Sequence, residues 1–253
     1  MDQQVIIGSH LISFKSLNFQ AGRTAIVFLH GWGSSKEAWQ GIETRLKTTD
    51  QAVLALDLPG FGASPLSRQD LSIADYAAIV AGFVKKQDLA KVNIVGHSFG
   101  GRIGIKLAAQ YPELVAKLVL VDSAGFAMES RKKSGYGFVA KLVKPFFKPA
   151  SMQGLRKWVY KLIGAEDYLA TPALQKTFIK AVGEDLAGDM KKIACPTLVV
   201  FGEKDTDTPL EFGERMHKLI AGSEFHVLAD AGHYSFLDKP EEFTILLKEF
   251  IRQ

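Results

Sequence analysis

Apolar residues fall in two rhythms along this chain. Short unbroken apolar runs alternate with longer stretches in which apolar residues recur every three or four positions. The first rhythm suits buried strands, the second amphipathic helices. Val5 to Leu17 reads as two strands around Gly8. Ala25 to Leu29 is a continuous buried strand broken by Gly31, and Ala52 to Leu56 is the next, stopped by Pro59-Gly60. Between them, Glu37 to Leu46 reads as a helix capped by Ser34 or Ser35. Ser72 caps a helix from Ile73 to about Lys86. Val92 to Val95 is a strand, Gly101 to Gln110 a helix ended by Tyr111-Pro112, and Lys117 to Val121 a strand.

The rhythm then breaks. From about Gly125 to Met190 no strand pattern is visible, and a helical pattern is interrupted by Pro145, Pro149, Gly154, Gly164 and Pro172. Alternation resumes with a strand over Pro196 to Phe201, a helix over Leu210 to Ile220, a strand over Glu224 to Leu228 and a closing helix over Pro240 to Arg252. Eight strands alternating with helices predict an α/β fold, a mostly parallel sheet covered on both faces. The core is expected over 1–125 and 190–253, with a helical insertion over 126–189.

Composition leaves this picture intact. The chain has 253 residues, 47% hydrophobic and 23% charged, which is ordinary for a globular protein. No apolar run reaches the roughly 18 residues a bilayer span needs. The first residues lack the basic start and apolar run of a signal peptide. A soluble cytoplasmic protein is expected. Cys195 is the only cysteine, which excludes an internal disulfide and reads as a buried structural thiol.

Charge changes the picture in one place. The net charge is +4, but 127–165 alone holds nine lysines and arginines against Glu129, a net of +8. The remainder is near −4, so the chain as a whole does not read as a nucleic-acid binder. The basic residues suit the solvated outer face of the insertion. Transient attraction of anionic substrates or lipid surfaces is the other reading. Oligomeric state is left open, because no coiled-coil seam is visible.

The chemistry concentrates at strand ends. Gly96-His97-Ser98-Phe99-Gly100-Gly101 joins a strand to a helix and fits the G-x-S-x-G pattern in its strand–turn–helix setting. Such a turn lifts the Ser98 hydroxyl above the sheet and leaves the Phe99 amide near a helix N-terminus, free to donate to an oxyanion. A phosphate loop would want Lys then Ser or Thr after the glycines, and these are absent. A serine hydroxyl needs a base. Of six histidines, His233 follows the last strand in Ala231-Gly232-His233-Tyr234-Ser235, at the carboxyl edge where a doubly wound sheet builds its site. His97 adjoins Ser98 with its side chain expected to point away, and His30 is expected to brace a loop. The base needs an acid to hold its tautomer. The loop Gly202 to Pro209 offers Glu203, Asp205 and Asp207; Asp205 would sit at the apex, and Asp207 would be free to cap the next helix. His30-Gly31-Trp32-Gly33 offers the Trp32 amide as a second oxyanion donor. Asp57 to Ser64 is glycine-rich at the same edge and reads as structural.

Together these blocks resemble the α/β-hydrolase superfamily, within it the small esterases and carbon–carbon-bond hydrolases. The resemblance rests on His30 to Gly33, Asp57 to Ser64, Gly96 to Gly101, Gly202 to Pro209 and Gly232-His233. It implies a Ser98–His233 pair with Asp205 as acid, since the acid of similar enzymes lies in Gly-x-x-Asp well before a proline. It implies that 126–189 forms a helical cap. His30, Gly31, Phe126, Phe138, Phe146 and Trp158 become candidates for the substrate pocket. Dehalogenases and epoxide hydrolases of the superfamily carry Asp where this chain has Ser98. Carbon–carbon hydrolases usually carry a more glycine-rich loop where it has Trp32. The expected activity is hydrolysis of a small carboxylic ester with an apolar acyl group, without metal or cofactor. The rivals are carbon–carbon hydrolysis of a vinylogous diketone and a ligand-binding member of the fold.

Overall fold

A computed structural model describes residues 2–19, 24–47, 52–68, 70–127 and 171–252. Eight strands form one sheet: β1 (Asp2–Ile7), β2 (His10–Leu17), β3 (Ala25–Leu29), β4 (Ala52–Leu56), β5 (Val92–His97), β6 (Val115–Val121), β7 (Thr197–Gly202) and β8 (Glu224–Leu228). Their order is β1-β2-β4-β3-β5-β6-β7-β8. β1 pairs antiparallel with β2, and β2 antiparallel with β4. The other pairs, from β3·β4 through β7·β8, are parallel. The mostly parallel sheet expected from the pattern is therefore present.

Alternate strand residues feed two cores, as a period of two requires. Val27, Leu29, Leu54, Ile94, Leu118, Leu120, Val199 and Phe201 face one side, where α2 (Ile73–Lys86) and α3 (Phe99–Gln110) pack. Ile26, Phe28, Val53, Val95, Val119, Val121 and Val200 face the other. There they meet α1 (Gln40–Leu46) and the closing helix Pro240–Arg252, with Trp39 stacked on Phe236 at 4.2 Å. Burial on both faces explains why β3 and β4 read as unbroken apolar runs.

Several predicted boundaries shift. The helix expected at Glu37–Leu46 is a short 3₁₀ turn over Lys36–Trp39, capped by Ser35, followed by α1. α2 begins where expected, because Ser72 and Asp75 form a reciprocal capping box. α3 begins at Phe99, directly after the Ser98 turn. Cys195 is half-buried rather than buried, because it lies in the connection before β7 and not within the strand. Of the expected insertion, residues 126–127 and 171–189 are described, with a 3₁₀ turn over Pro172–Leu174, then α4 (Gln175–Gly183) and α5 (Ala187–Met190). Phe138, Phe146 and Trp158 lie outside the described residues.

The insertion leaves and rejoins the core over α3. Leu186 N–H donates to Gly125 O at 2.9 Å. Arg102, buried on α3, donates to Phe126 O at 2.6 Å and to Glu184 O at 2.8 Å, so one guanidinium holds both stems. One turn on, Lys106 pairs with Glu184 at 2.8 Å and Asp189 at 2.6 Å. The remaining helices follow β7 and β8: α6 (Leu210–Leu219), α7 (Ser235–Asp238) and α8 (Pro240–Arg252).

Candidate active site

The parallel strands end at one edge, and the chemistry collects there. Ser98 sits between β5 and α3 with φ of 49° and ψ of −106°, a left-handed backbone that a non-glycine residue holds only when its surroundings force it. Those surroundings are visible. A Cβ on Gly100 would lie 2.2 Å from the Leu29 carbonyl oxygen, and one on Gly96 2.5 Å from Gly100 O. The turn can be this tight only with glycine at both places. Its backbone is tied to the neighbouring strand by Ser98 N–H to Val121 O at 3.0 Å.

The loop after β3 closes against this turn. A Cβ on Gly31 would meet His97 Nδ1 at 2.6 Å and Ser98 Cβ at 3.5 Å, so glycine lets that backbone lie beside the serine. The Trp32 and Phe99 rings meet edge to face at 5.0 Å, which sets the two segments side by side. Phe61 and Phe178 pack on the Trp32 ring at 5.1 Å each. His30 braces the next loop, with Nδ1–H donating to Gly31 O and Nε2 accepting from Leu58 N–H. Burial drives its pKa down to about 4, so the ring is neutral.

At the far end of the edge, His233 Nδ1–H donates to Asp205 Oδ2 at 2.9 Å. That bond fixes the tautomer and leaves Nε2 as the basic nitrogen. Asp205 Oδ1 accepts from Asp207 N–H and Thr208 N–H, and its Oδ2 also from the Thr208 hydroxyl at 2.7 Å. Burial opposes the Asp205 charge, but His233 and Thr208 outweigh it and hold the carboxyl below the usual range. Burial likewise opposes the His233 imidazolium, but the Asp205 bond and charge, with Asp207 and Asp122, raise its pKa above 6.5. Asp207 does not cap α6, whose cap is Pro209. Glu203 points outward, accepting from Asp230 N–H.

His97 does not turn away from this group. Its ring lies 4.9 Å from that of His233, and Nε2–H donates to the His233 carbonyl at 2.7 Å. Burial lowers its pKa to about 3, so it stays neutral beside His233. Phe126 is buried, with its ring against Phe212 at 5.2 Å and the Arg215 guanidinium 3.7 Å from its centroid. That ring is engaged at the root of the insertion. Among the described residues, no cluster of His, Cys, Asp and Glu has a metal-binding arrangement, and no helix is long and apolar enough to cross a membrane.

Comparison with known proteins decides the family. The sequence profile of the alpha/beta hydrolase family matches residues 26–244. The chain belongs to the α/β-hydrolase family. Within it, the chain is 31% identical over 246 residues to a pimeloyl-[acyl-carrier protein] methyl ester esterase of Neisseria meningitidis, spanning 89% of this chain and 92% of the relative. It is 29% identical over 249 residues to an uncharacterized hydrolase of Bacillus subtilis, covering 91% of each. Among solved α/β-hydrolases, an esterase from Exiguobacterium antarcticum superposes with TM-score 0.80 at 24% identity, over the full length of both chains. A meta-cleavage product hydrolase from Pseudomonas fluorescens superposes with TM-score 0.74 at 23% identity, over 99% of this chain and 97% of that one. These structural likenesses establish the fold. The α/β-hydrolase assignment makes the chain a hydrolase.

Sequence reading missed two residues that contact this group. Asp122 is buried beneath the acid and base loops, and Thr208 touches both Asp205 and His233. A signal for Asp122 exists: it closes an apolar strand run, as Asp57 closes another.

Proposed function

We propose that this α/β-hydrolase cleaves carboxylic esters through a Ser98 acyl-enzyme, with His233 as base and Asp205 as its acid. The observation that carries the reading is the Asp205–His233 hydrogen bond, formed at the same sheet edge as a strained serine turn. Ser98 Oγ attacks the ester carbonyl as His233 Nε2 takes its proton. The carbonyl electrons move to oxygen, where the Trp32 and Phe99 amides donate; Phe99, first in α3, has no intrahelical acceptor for its N–H. The intermediate expels the alkoxide, which takes the proton from the imidazolium. Water then repeats the sequence on the acyl-enzyme, freeing the acid and restoring Ser98. The aromatic group of Trp32, Phe61, Phe99 and Phe178 supports an apolar acyl group.

The test is turnover of p-nitrophenyl esters of graded chain length. Ser98→Ala is expected to cost about four orders of magnitude or more in kcat. Near wild-type turnover by that variant would remove the assignment. Turnover of a vinylogous diketone in preference to any ester would move the reading to carbon–carbon hydrolysis. A single slow turnover with tight product retention would move it to a binding protein.

A second reading concerns what carries the acyl group. Nine basic residues against one acidic over 127–165 complement an anionic carrier, and the Neisseria relative is named for a carrier-protein ester. On this reading, KM for an acyl-carrier-protein ester rises steeply with salt, while KM for the free methyl ester does not. Equal salt dependence for both would discard it.

A further inference from the structure

The geometry points to Asp122 as a positioning residue that binds the acid loop and the base loop into one unit beneath Ser98. This rests on the proposed roles of Asp205 and His233. It adds a group that neither the sequence pattern nor the comparisons single out.

Asp122 follows β6, the strand between the nucleophile strand β5 and the acid strand β7. Its side chain is fully buried. Oδ1 accepts Gly202 N–H at 2.8 Å, at the start of the loop carrying Asp205. Oδ2 accepts Ser235 N–H at 2.9 Å, two residues after His233. Its backbone continues the same contacts. Asp122 N–H donates to Val200 O at 2.9 Å, and its carbonyl lies 2.9 Å from Thr208 Oγ1. The Thr208 hydroxyl is also 2.7 Å from Asp205 Oδ2 and 3.2 Å from His233 Nδ1. One residue therefore holds both loops at their roots. A backbone φ of +44° shows how firmly it is held, since a non-glycine residue keeps that angle only when its contacts fix it.

The arrangement makes a chemical prediction. Both oxygens accept at full strength when the carboxyl is ionised. Protonation turns one of them into a donor facing an N–H and releases one loop root. The groups facing Asp122 are Asp205 from the loop after β7 and His233 from the loop after β8. On β5 its neighbour Val121 pairs with His97, which is neutral. Among the described residues no lysine or arginine forms an ion pair with it. Burial, reinforced by the Asp205 charge, pushes its pKa up to about 7 against the bonds from Ser235 and Gly202. The clamp thus loosens on acidification through about 7, beside an imidazole whose pKa is itself raised.

Two measurements test this. In wild-type protein, the Gly202 and Ser235 amide protons are followed by NMR from pH 5 to 9. A shared midpoint well above the ordinary carboxylate range is expected. Shifts with separate midpoints, or none, would overturn the proposal, and this readout needs no ester turnover. In Asp122→Asn, one amide oxygen remains for two N–H donors, and the negative charge beside His233 is gone. We expect kcat to fall about tenfold or more with KM within about twofold. We also expect the acid limb of kcat/KM to move to lower pH, because the Asp122 charge helps raise the His233 pKa. An unchanged kcat and acid limb would refute the role. A kcat loss with an unmoved limb would reduce Asp122 to packing. If wild-type protein turns over no ester, the esterase reading fails while the amide titration still decides this one.

Discussion

Asp57 and Asp122 lie on opposite sides of β5, Asp57 after β4, two strands away, and Asp122 after β6, its direct neighbour. Each follows a parallel strand that reads as an apolar run ending in aspartate, and each is fully buried. Each accepts two backbone N–H groups: Lys36 and Ala63 for Asp57, Gly202 and Ser235 for Asp122. They differ in one partner. Asp57 meets the buried Lys36 ammonium at 2.7 Å, and among the described residues Asp122 meets no such cation. Burial raises the pKa of both, but at Asp57 the Lys36 contacts reverse the sign and hold the carboxyl below 3.8. At Asp122 burial wins. A buried carboxylate with its own cation is inert near neutral pH and serves the fold; one without a cation titrates there, next to His233.

The sharpest way to break this comparison is to remove the cation. Lys36→Met strands the Asp57 carboxylate in an apolar site and should cost about 3–5 kcal/mol of stability by urea unfolding. Lys36→Met combined with Asp57→Leu should recover much of that loss, since two apolar groups can replace a buried pair. In either variant, the folded fraction should keep kcat within about twofold. A tenfold loss would mean that the Asp57 side also positions the chemistry.

A second consequence is that the two carboxyls tilt stability oppositely with pH. Asp122 is protonated in the fold up to about 7 but ionised in the unfolded chain above 3.8, so the fold holds the extra proton between these values. Raising pH through that window therefore removes stability, and Asp122→Asn should flatten the slope. Asp57 has a depressed pKa, so its contribution is present above 3.8 and is lost as pH falls through the lower folded value. Urea midpoints from pH 3 to 8 check both signs. The smallest effect concerns His233. As a base it must be neutral, and its pKa is raised, so the acid limb of wild-type kcat/KM should lie above 6.5. A limb below that value would separate the measured base from the Asp205 pairing.

What was legible in the sequence follows from the range of each interaction. β3, β4, β8 and α2 fall where their local patterns place them, because apolar runs and a Ser72–Asp75 cap act over a few residues. The start of α3 was hidden, because Ser98 holds a left-handed turn sustained by long-range contacts, its N–H to Val121 O and the close approach of Gly100 to Leu29 O. The loops after β7 and β8 were readable as the places for an acid and a base, and the family resemblance then favoured Asp205 over Asp207. The partners of Asp122 and Lys36 were not readable, since they lie 80 or more and 21 positions away; an aspartate closing an apolar run marks a place but not what it binds. His97 was misjudged for a similar reason: its orientation depends on the His233 carbonyl, 136 positions on.

The strand order carries one more implication. Ser98 follows a central strand, assembled from the first half of the chain, whereas Asp205 and His233 follow β7 and β8, added at one edge from the last quarter. A chain growing from its N-terminus therefore completes the serine turn well before the groups that would activate it exist. Until the final strands dock, the hydroxyl has neither base nor acid beside it. The appearance of hydrolytic activity would thus mark completed folding, and partly made chains would carry a silent nucleophile.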